Sequence, residues 1–154
     1  MKIDVLGIQD VGINWSNCKV HDSLRNRMKF HGWEFSRMIL SHNKKCDIGT
    51  QQYGGTLTFL KDQVTYYWTN SGIDESGLGR WSWVQLKRTN KSSAKIFTVY
   101  QPVIVNDPMY SSSVYQQQKR YFTGKGVYIC PNELLRKDLK SAIKTCQQRK
   151  EKVL

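Results

Sequence analysis

The chain has 154 residues, enough for one domain with its own core and short for two. With 39% hydrophobic and 12% aromatic residues it lies outside the disordered class, and no apolar run reaches the length of a bilayer span. Lysine and arginine number 24 against 12 aspartates and glutamates, a net charge of +12 that favours polyanions, nucleic acid or an anionic surface, and equally suits the solvated faces of helices.

Residues 3–8 read as a buried strand that ends at Gln9-Asp10, before a loop carrying Gly12, Asn14 and Trp15. Leu24 and Met28 lie at helical spacing within 21–30, which predicts a short amphipathic helix stopped by His31-Gly32. A second strand is expected over 33–40, then a polar loop to Gln52. Tyr53-Gly54-Gly55-Thr56 opens a third strand at 57–60, and Lys61-Asp62-Gln63 reads as the tight turn of a hairpin into a fourth at 64–69. Residues 70–79 read as a glycine-rich loop. The next strand, 80–86, alternates so that Trp81, Trp83 and Gln85 share a face, and another spans 94–100 before Gln101-Pro102.

Beyond this point helical signals take over. Ser111 to Ser113 offer N-caps for a helix through Phe122, and Pro131 with Glu133 opens a longer one with Leu135, Leu139, Ala142, Ile143 and Cys146 as its apolar stripe. Val153-Leu154 looks like the start of a further strand. Strands early and helices late predict an incomplete α/β layer structure.

Four constellations carry possible chemistry. Cys18-x-x-His21 with His42-x-x-x-Cys46 has the donor types of a zinc site, against the plainer reading of incidental cysteines and surface histidines. The Gly54-Gly55 pair lacks the lysine and helix of a phosphate loop and better suits close strand packing. Arg80 beside Trp81 and Trp83 suits a phosphate contact with stacked bases, although two tryptophans on one strand face more often belong to a core. Asp10, an acid at the end of a buried strand, is either a turn former or an oxygen ligand for a hard cation such as Mg²⁺. The four cysteines show no framework spacing, so reduced thiols and an intracellular setting, cytoplasmic or nuclear, are expected.

The order of Leu6-Gly7-Ile8-Gln9-Asp10, Ile13-Asn14-Trp15, Gly32-Trp33, Tyr53-Gly54-Gly55-Thr56, Gly77 through Trp83, Val99-Tyr100-Gln101-Pro102 and the tail from Lys150 resembles the endonuclease/exonuclease/phosphatase superfamily. Among its branches the chain looks most like the endonuclease domains that accompany reverse transcriptases in mobile elements. The resemblance implies part of a DNase I-like four-layer α/β sandwich, with mixed sheets flanked by helices. It also implies cleavage of nucleic-acid phosphodiesters, DNA ahead of RNA, with Mg²⁺. By the same resemblance Asp10 takes the place of the family's strand-end glutamate that binds the metal, Tyr100 that of the tyrosine in its Tyr-x-Pro motif, and Arg80 is kept as a phosphate contact.

Asp10 is one methylene shorter than glutamate, so the ion must sit closer or be reached through water. Thr98 stands where many members carry a polar amide. The resemblance spans roughly the first half of the family's domain: its Gly-Asp-x-Asn motif, later acids and histidine do not appear, and an upstream strand with an asparagine is missing. Residues 1–154 are therefore expected to be an incomplete domain, with no hydrolysis as an isolated chain and with self-association through an exposed sheet edge. A non-catalytic basic module that binds nucleic acid through its charge is the alternative.

Overall fold

The computed structural model describes residues 3–12, 28, 33, 35–45, 54–87, 93–106, 113–148 and 152–153. The helix expected over 21–30 lies outside these residues except for Met28, as do the loop after Asp10 from residue 13 onward, Tyr53, and the cysteines Cys18 and Cys46.

Among the described residues the structure is mixed α/β, with two small sheets and two helices. Strands β1 (Val5–Gln9), β2 (Phe35–Ser41) and β3 (Thr56–Lys61) form the first sheet, ordered β1-β3-β2 and antiparallel throughout. Strands β4 (Trp68–Ile73), β5 (Trp81–Lys87) and β6 (Ser93–Val99) form an antiparallel second sheet, joined at its edge by the short parallel β7 (Lys152–Val153). The parallel partner makes this sheet mixed, and the strand expected at the end of the sequence is the one that adds it.

β3 explains how the layers stack. It is the central strand of its sheet, and residues from Thr56 to Leu60 are all fully buried, so both of its faces are covered. Leu57 and Phe59 face outward into a cluster with Leu6, Ile8, Met28, Trp33, Met38 and Leu40. Leu60 faces inward and meets Ile39 and Val84, with Val5, Leu86 and Ile96 around them, so side chains from the two sheets interdigitate face to face. The inner face changes character along the strand. Toward its start the apolar contacts give way to hydroxyls: Thr56 Oγ1 donates to Ser82 Oγ at 3.1 Å, and Thr58 Oγ1 lies 3.2 Å from Ser82 Oγ and 2.7 Å from Thr98 Oγ1.

The hairpin expected after Lys61 does not form. Residues Asp62–Tyr67 make a 3₁₀ turn, and β4 begins only at Trp68, in the other sheet. Asp62 takes a left-handed φ of 46°, and Thr65 Oγ1 donates to its carbonyl at 2.6 Å. Val64 drops into the core between the sheets, so the tertiary requirement to cross from one layer to the next overrides the β propensity of Val-Thr-Tyr-Tyr. The glycine-rich loop also shrinks, because β4 runs on through Ile73 and only 74–80 turn.

Trp81, Trp83 and Gln85 do share a face, but it is not the inter-sheet core. Ser82 and Val84 point inward and are fully buried, while the two tryptophans lie half-buried on the outer side. Trp83 spreads over Gly72, where an added Cβ would stand 2.5 Å from its Nε1, and Lys95 Nζ lies 4.5 Å from its ring centroid. That ring is already covered on this side by strand neighbours.

Helix α1 (Val114–Gly124) begins where the serines predicted, with Ser113 as N-cap, its side chain accepting from the Gln116 N–H at 3.3 Å. Helix α2 (Pro131–Gln148) opens with proline at its first position and buries Leu135 and Cys146 from the expected stripe. The two helices pack on each other, and α2 packs on β7.

Candidate functional site at the sheet rim

Asp10 follows β1 with a left-handed φ of 51°, a conformation in which aspartate is among the better tolerated side chains. The turn is held from both directions. Asp10 N–H donates to the Gly55 carbonyl at 3.0 Å, and its Oδ1 accepts the Gly54 N–H at 2.8 Å. The carboxylate thus has a fixed orientation while the residue stays exposed.

Gly54 and Gly55 run at φ 83° and 95°, which a side chain would strain. A Cβ on Gly54 would stand 3.3 Å from Tyr100 Cε1 and 3.4 Å from Val114 Cγ1. The glycine is therefore the floor on which the Tyr100 ring rests, between Asp10 and the start of α1. Helix N-terminal N–H groups favour an anion at such an end.

Tyr100 continues β6 by one residue: its N–H donates to the Arg80 carbonyl at 2.8 Å, extending the ladder past Trp81↔Val99. Desolvation first, and then the negative charge of Asp10, push its phenol up to about 12. Tyr100 therefore stays protonated at neutral pH and can donate a hydrogen bond to an anionic oxygen. Behind the rim lies the Thr56–Ser82–Thr58–Thr98 seam, and Gly7 fits against it so closely that a Cβ would meet Thr98 Oγ1 at 2.7 Å.

Arg80 is placed differently from the phosphate contact expected of it. It is buried, and its Nε donates to Asp74 Oδ2 at 2.9 Å while its Nη2 donates to Asp74 Oδ1 at 3.0 Å and to Asp138 Oδ2 at 2.9 Å. The guanidinium also lies 5.2 Å from the Phe122 ring centroid. With two carboxylates and a ring around it, this cation joins the 74–80 turn to both helices and leaves the rim to Asp10 and Tyr100. Burial alone would push the Asp74 carboxyl up, but the hydrogen bonds and charge of Arg80 outweigh it and hold it below the ordinary carboxylate range.

Sequence reasoning missed these partners. Asp138 lies 58 residues from Arg80, and no local pattern announces the pair. Asn132 was missed too: its Nδ2 donates to the Pro102 carbonyl at 3.1 Å, fastening the first turn of α2 to the segment that follows Tyr100.

Among the described residues no cluster of three or more His, Cys, Asp or Glu side chains is spaced to hold a metal ion. Of the zinc candidates only His42 is described; its Nδ1 is buried without a hydrogen-bond partner, and Cys18, His21 and Cys46 fall outside. No helix is long and apolar enough to cross a membrane among the described residues. A Mg²⁺ ion fits Asp10 in one mode, because such ions are often held by one or two carboxylates with water and phosphate oxygens completing the shell. Oδ1 is oriented by Gly54, and the exposed position leaves room for that shell. Compared with protein-family models, with curated proteins and with solved structures, the chain matches none.

Proposed function

We propose that this chain carries part of a Mg²⁺-dependent phosphodiesterase domain of the endonuclease type, acting on nucleic acid, in which Asp10 holds the metal and Tyr100 the phosphate. One observation carries the reading. An oriented carboxylate and a phenol that keeps its proton stand at one rim of two face-to-face sheets, joined through Gly54. The finer architecture proposed with it is the DNase I-like four-layer sandwich, with Met28 and Trp33 outside the first sheet and α1 and α2 outside the second.

The roles follow from charge. Bound at Asp10, Mg²⁺ would offset the negative charge that grows on the phosphoryl oxygens. Tyr100 contributes a preorganised O–H donor to the same oxygens, at no cost of ionisation near neutral pH. The histidine that serves as base in the family this chain resembles has no matching motif in the sequence, so the isolated chain is expected to bind without turnover.

A plasmid and a metal titration separate this reading from a non-catalytic basic module. Under the proposal Mg²⁺ strengthens association with DNA, and Asp10→Ala removes that increment; any nicking that does occur needs Mg²⁺ and vanishes in the same variant. A basic module instead binds with the same salt sensitivity in both proteins, with Mg²⁺ acting only as a competing cation.

A further inference from the structure

Part of the chain's positive charge lies along one face of a helix. On α2, Arg136, Lys137, Lys140 and Lys144 are all exposed, and at about 100° per residue they fall within an arc of roughly 100°. Leu135 and Cys146 are buried on the opposite side, and Asp138 is turned away to Arg80. Glu133 is the one acid on the exposed arc. At 1.5 Å per residue the stripe from Arg136 to Lys144 runs about 12 Å, comparable to the axial distance of three to four phosphates on one strand.

An exposed aromatic stands at the head of this stripe. Tyr128 is 83% exposed, three residues before Pro131 opens α2. Val103, 81% exposed, and Ile104 lie in the segment that Asn132 fastens to α2 through the Pro102 carbonyl. Tyr115 Oη lies 3.5 Å from Cys130 Sγ, which ties the Tyr128 loop back to α1. Tyr100 is two residues before Pro102, so Val103 and Ile104 follow the rim in the chain, and α2 runs from its fastening at Pro102 toward β7, which pairs with Ala94 and Lys95 at the opposite end of β6 from Tyr100. A solvated helix face would explain the lysines; it would not explain large apolar side chains in water beside them.

We propose that the exposed face of α2 is a track for single-stranded nucleic acid, with Arg136, Lys137, Lys140 and Lys144 on its phosphates and Tyr128 stacked on a base beside the Tyr100 rim. Charge complementarity selects a polyanion, and the exposed ring selects one with free base faces, which a duplex or a lipid headgroup lacks. This deepens the nucleic-acid part of the function proposed above and rests on it for the kind of polyanion, while requiring no metal at Asp10.

The test is fluorescence anisotropy of a labelled oligothymidylate with the full chain in EDTA, across a range of salt. Lys137→Gln/Lys140→Gln/Lys144→Gln is expected to weaken binding at least tenfold at low salt and to lower the slope of log K against log salt by roughly two. Tyr128→Ala is expected to weaken binding about tenfold with the slope unchanged. Tyr66→Ala removes a ring of similar exposure on the 3₁₀ turn, at the far end of β3 from Gly54, and should change nothing. An unaltered slope in the triple variant, an equal loss in Tyr66→Ala, or equal binding of duplex or phosphatidylserine vesicles with no effect of Tyr128→Ala would each overturn the proposal. Because this binding is read in EDTA, a missing Mg²⁺ effect on DNA association with oligothymidylate binding intact would defeat the metal reading alone, whereas an unaltered salt slope in the triple variant would defeat the track alone.

Discussion

Gly54 lies beneath Tyr100: its N–H reaches the Asp10 carboxylate at 2.8 Å, and an added Cβ would press on the tyrosine ring at 3.3 Å. The floor of the candidate site is thus backbone, and backbone with φ of 83°. Gly54→Ala should cost about 1–2 kcal/mol in urea unfolding, from the left-handed strain and the contact with the ring. It should also displace Tyr100, visible as a shifted ring resonance in carbon-13-labelled protein. An unchanged melt and spectrum would mean that the glycine is incidental.

The fit of Gly7 against Thr98 predicts a coupled pair. Gly7→Ala forces a methyl to 2.7 Å from Thr98 Oγ1, a hydroxyl already engaged with Thr58, and is expected to destabilise by about 1–3 kcal/mol. Thr98→Ala removes the obstructing atom. The double variant should recover part of the loss, giving a coupling energy of about 1 kcal/mol in a double-mutant cycle. Simple additivity would show that the two sheets approach less closely here than described.

Arg80 joins three parts of the chain, and its removal leaves Asp74 buried without a counter-charge. Arg80→Met should cost about 3–5 kcal/mol, among the largest single losses in the molecule. The acid limb carries the complementary sign. Because Asp74 is held below the ordinary carboxylate range when folded, its stabilisation is complete above the unfolded value of about pH 4 and fades as pH falls through the lower folded value. Asp74→Asn should start less stable and show a flatter acid limb in thermal melts.

His42 makes a separate pH prediction. Burial first, and then the nearby Lys44 charge, lower its pKa, so the folded state favours the neutral imidazole. Its contribution is complete above the unfolded value of about 6.5 and is lost as pH falls through the lower folded value. Midpoints should fall as pH drops below about 6.5, and His42→Gln should remove part of that slope. A slope identical in the variant would place the titration elsewhere.

How far the sequence revealed this arrangement depended on the range of each interaction. The Ser113 cap, the Pro131 start of α2 and the strand around Leu57 to Leu60 rest on neighbours within a few residues, and they were legible. The turn at 62–67 was not, because Val64, Thr65, Tyr66 and Tyr67 carry strand propensity and only the packing of two sheets sends them across. The tryptophan alternation was read correctly and its direction was not; which face of a strand is inside is decided by the partner layer, here Thr56 and Thr58 meeting Ser82. Asp10 and Tyr100 were singled out from strand ends and a resemblance, whereas the commitment of Arg80 to Asp74 and Asp138 needed contacts that sequence spacing does not encode. The helix at 21–30 and the cysteine-histidine pattern fall largely outside the described residues.

The central claim, a metal at Asp10 within reach of Tyr100, is tested most directly by titrating Mn²⁺ into protein with carbon-13-labelled tyrosines and following each ring resonance. The account predicts selective broadening of Tyr100 at substoichiometric Mn²⁺, reversed by excess Mg²⁺ and absent in Asp10→Ala. Broadening of Tyr100 that is equal in Asp10→Ala, or none while other tyrosines respond, would contradict it.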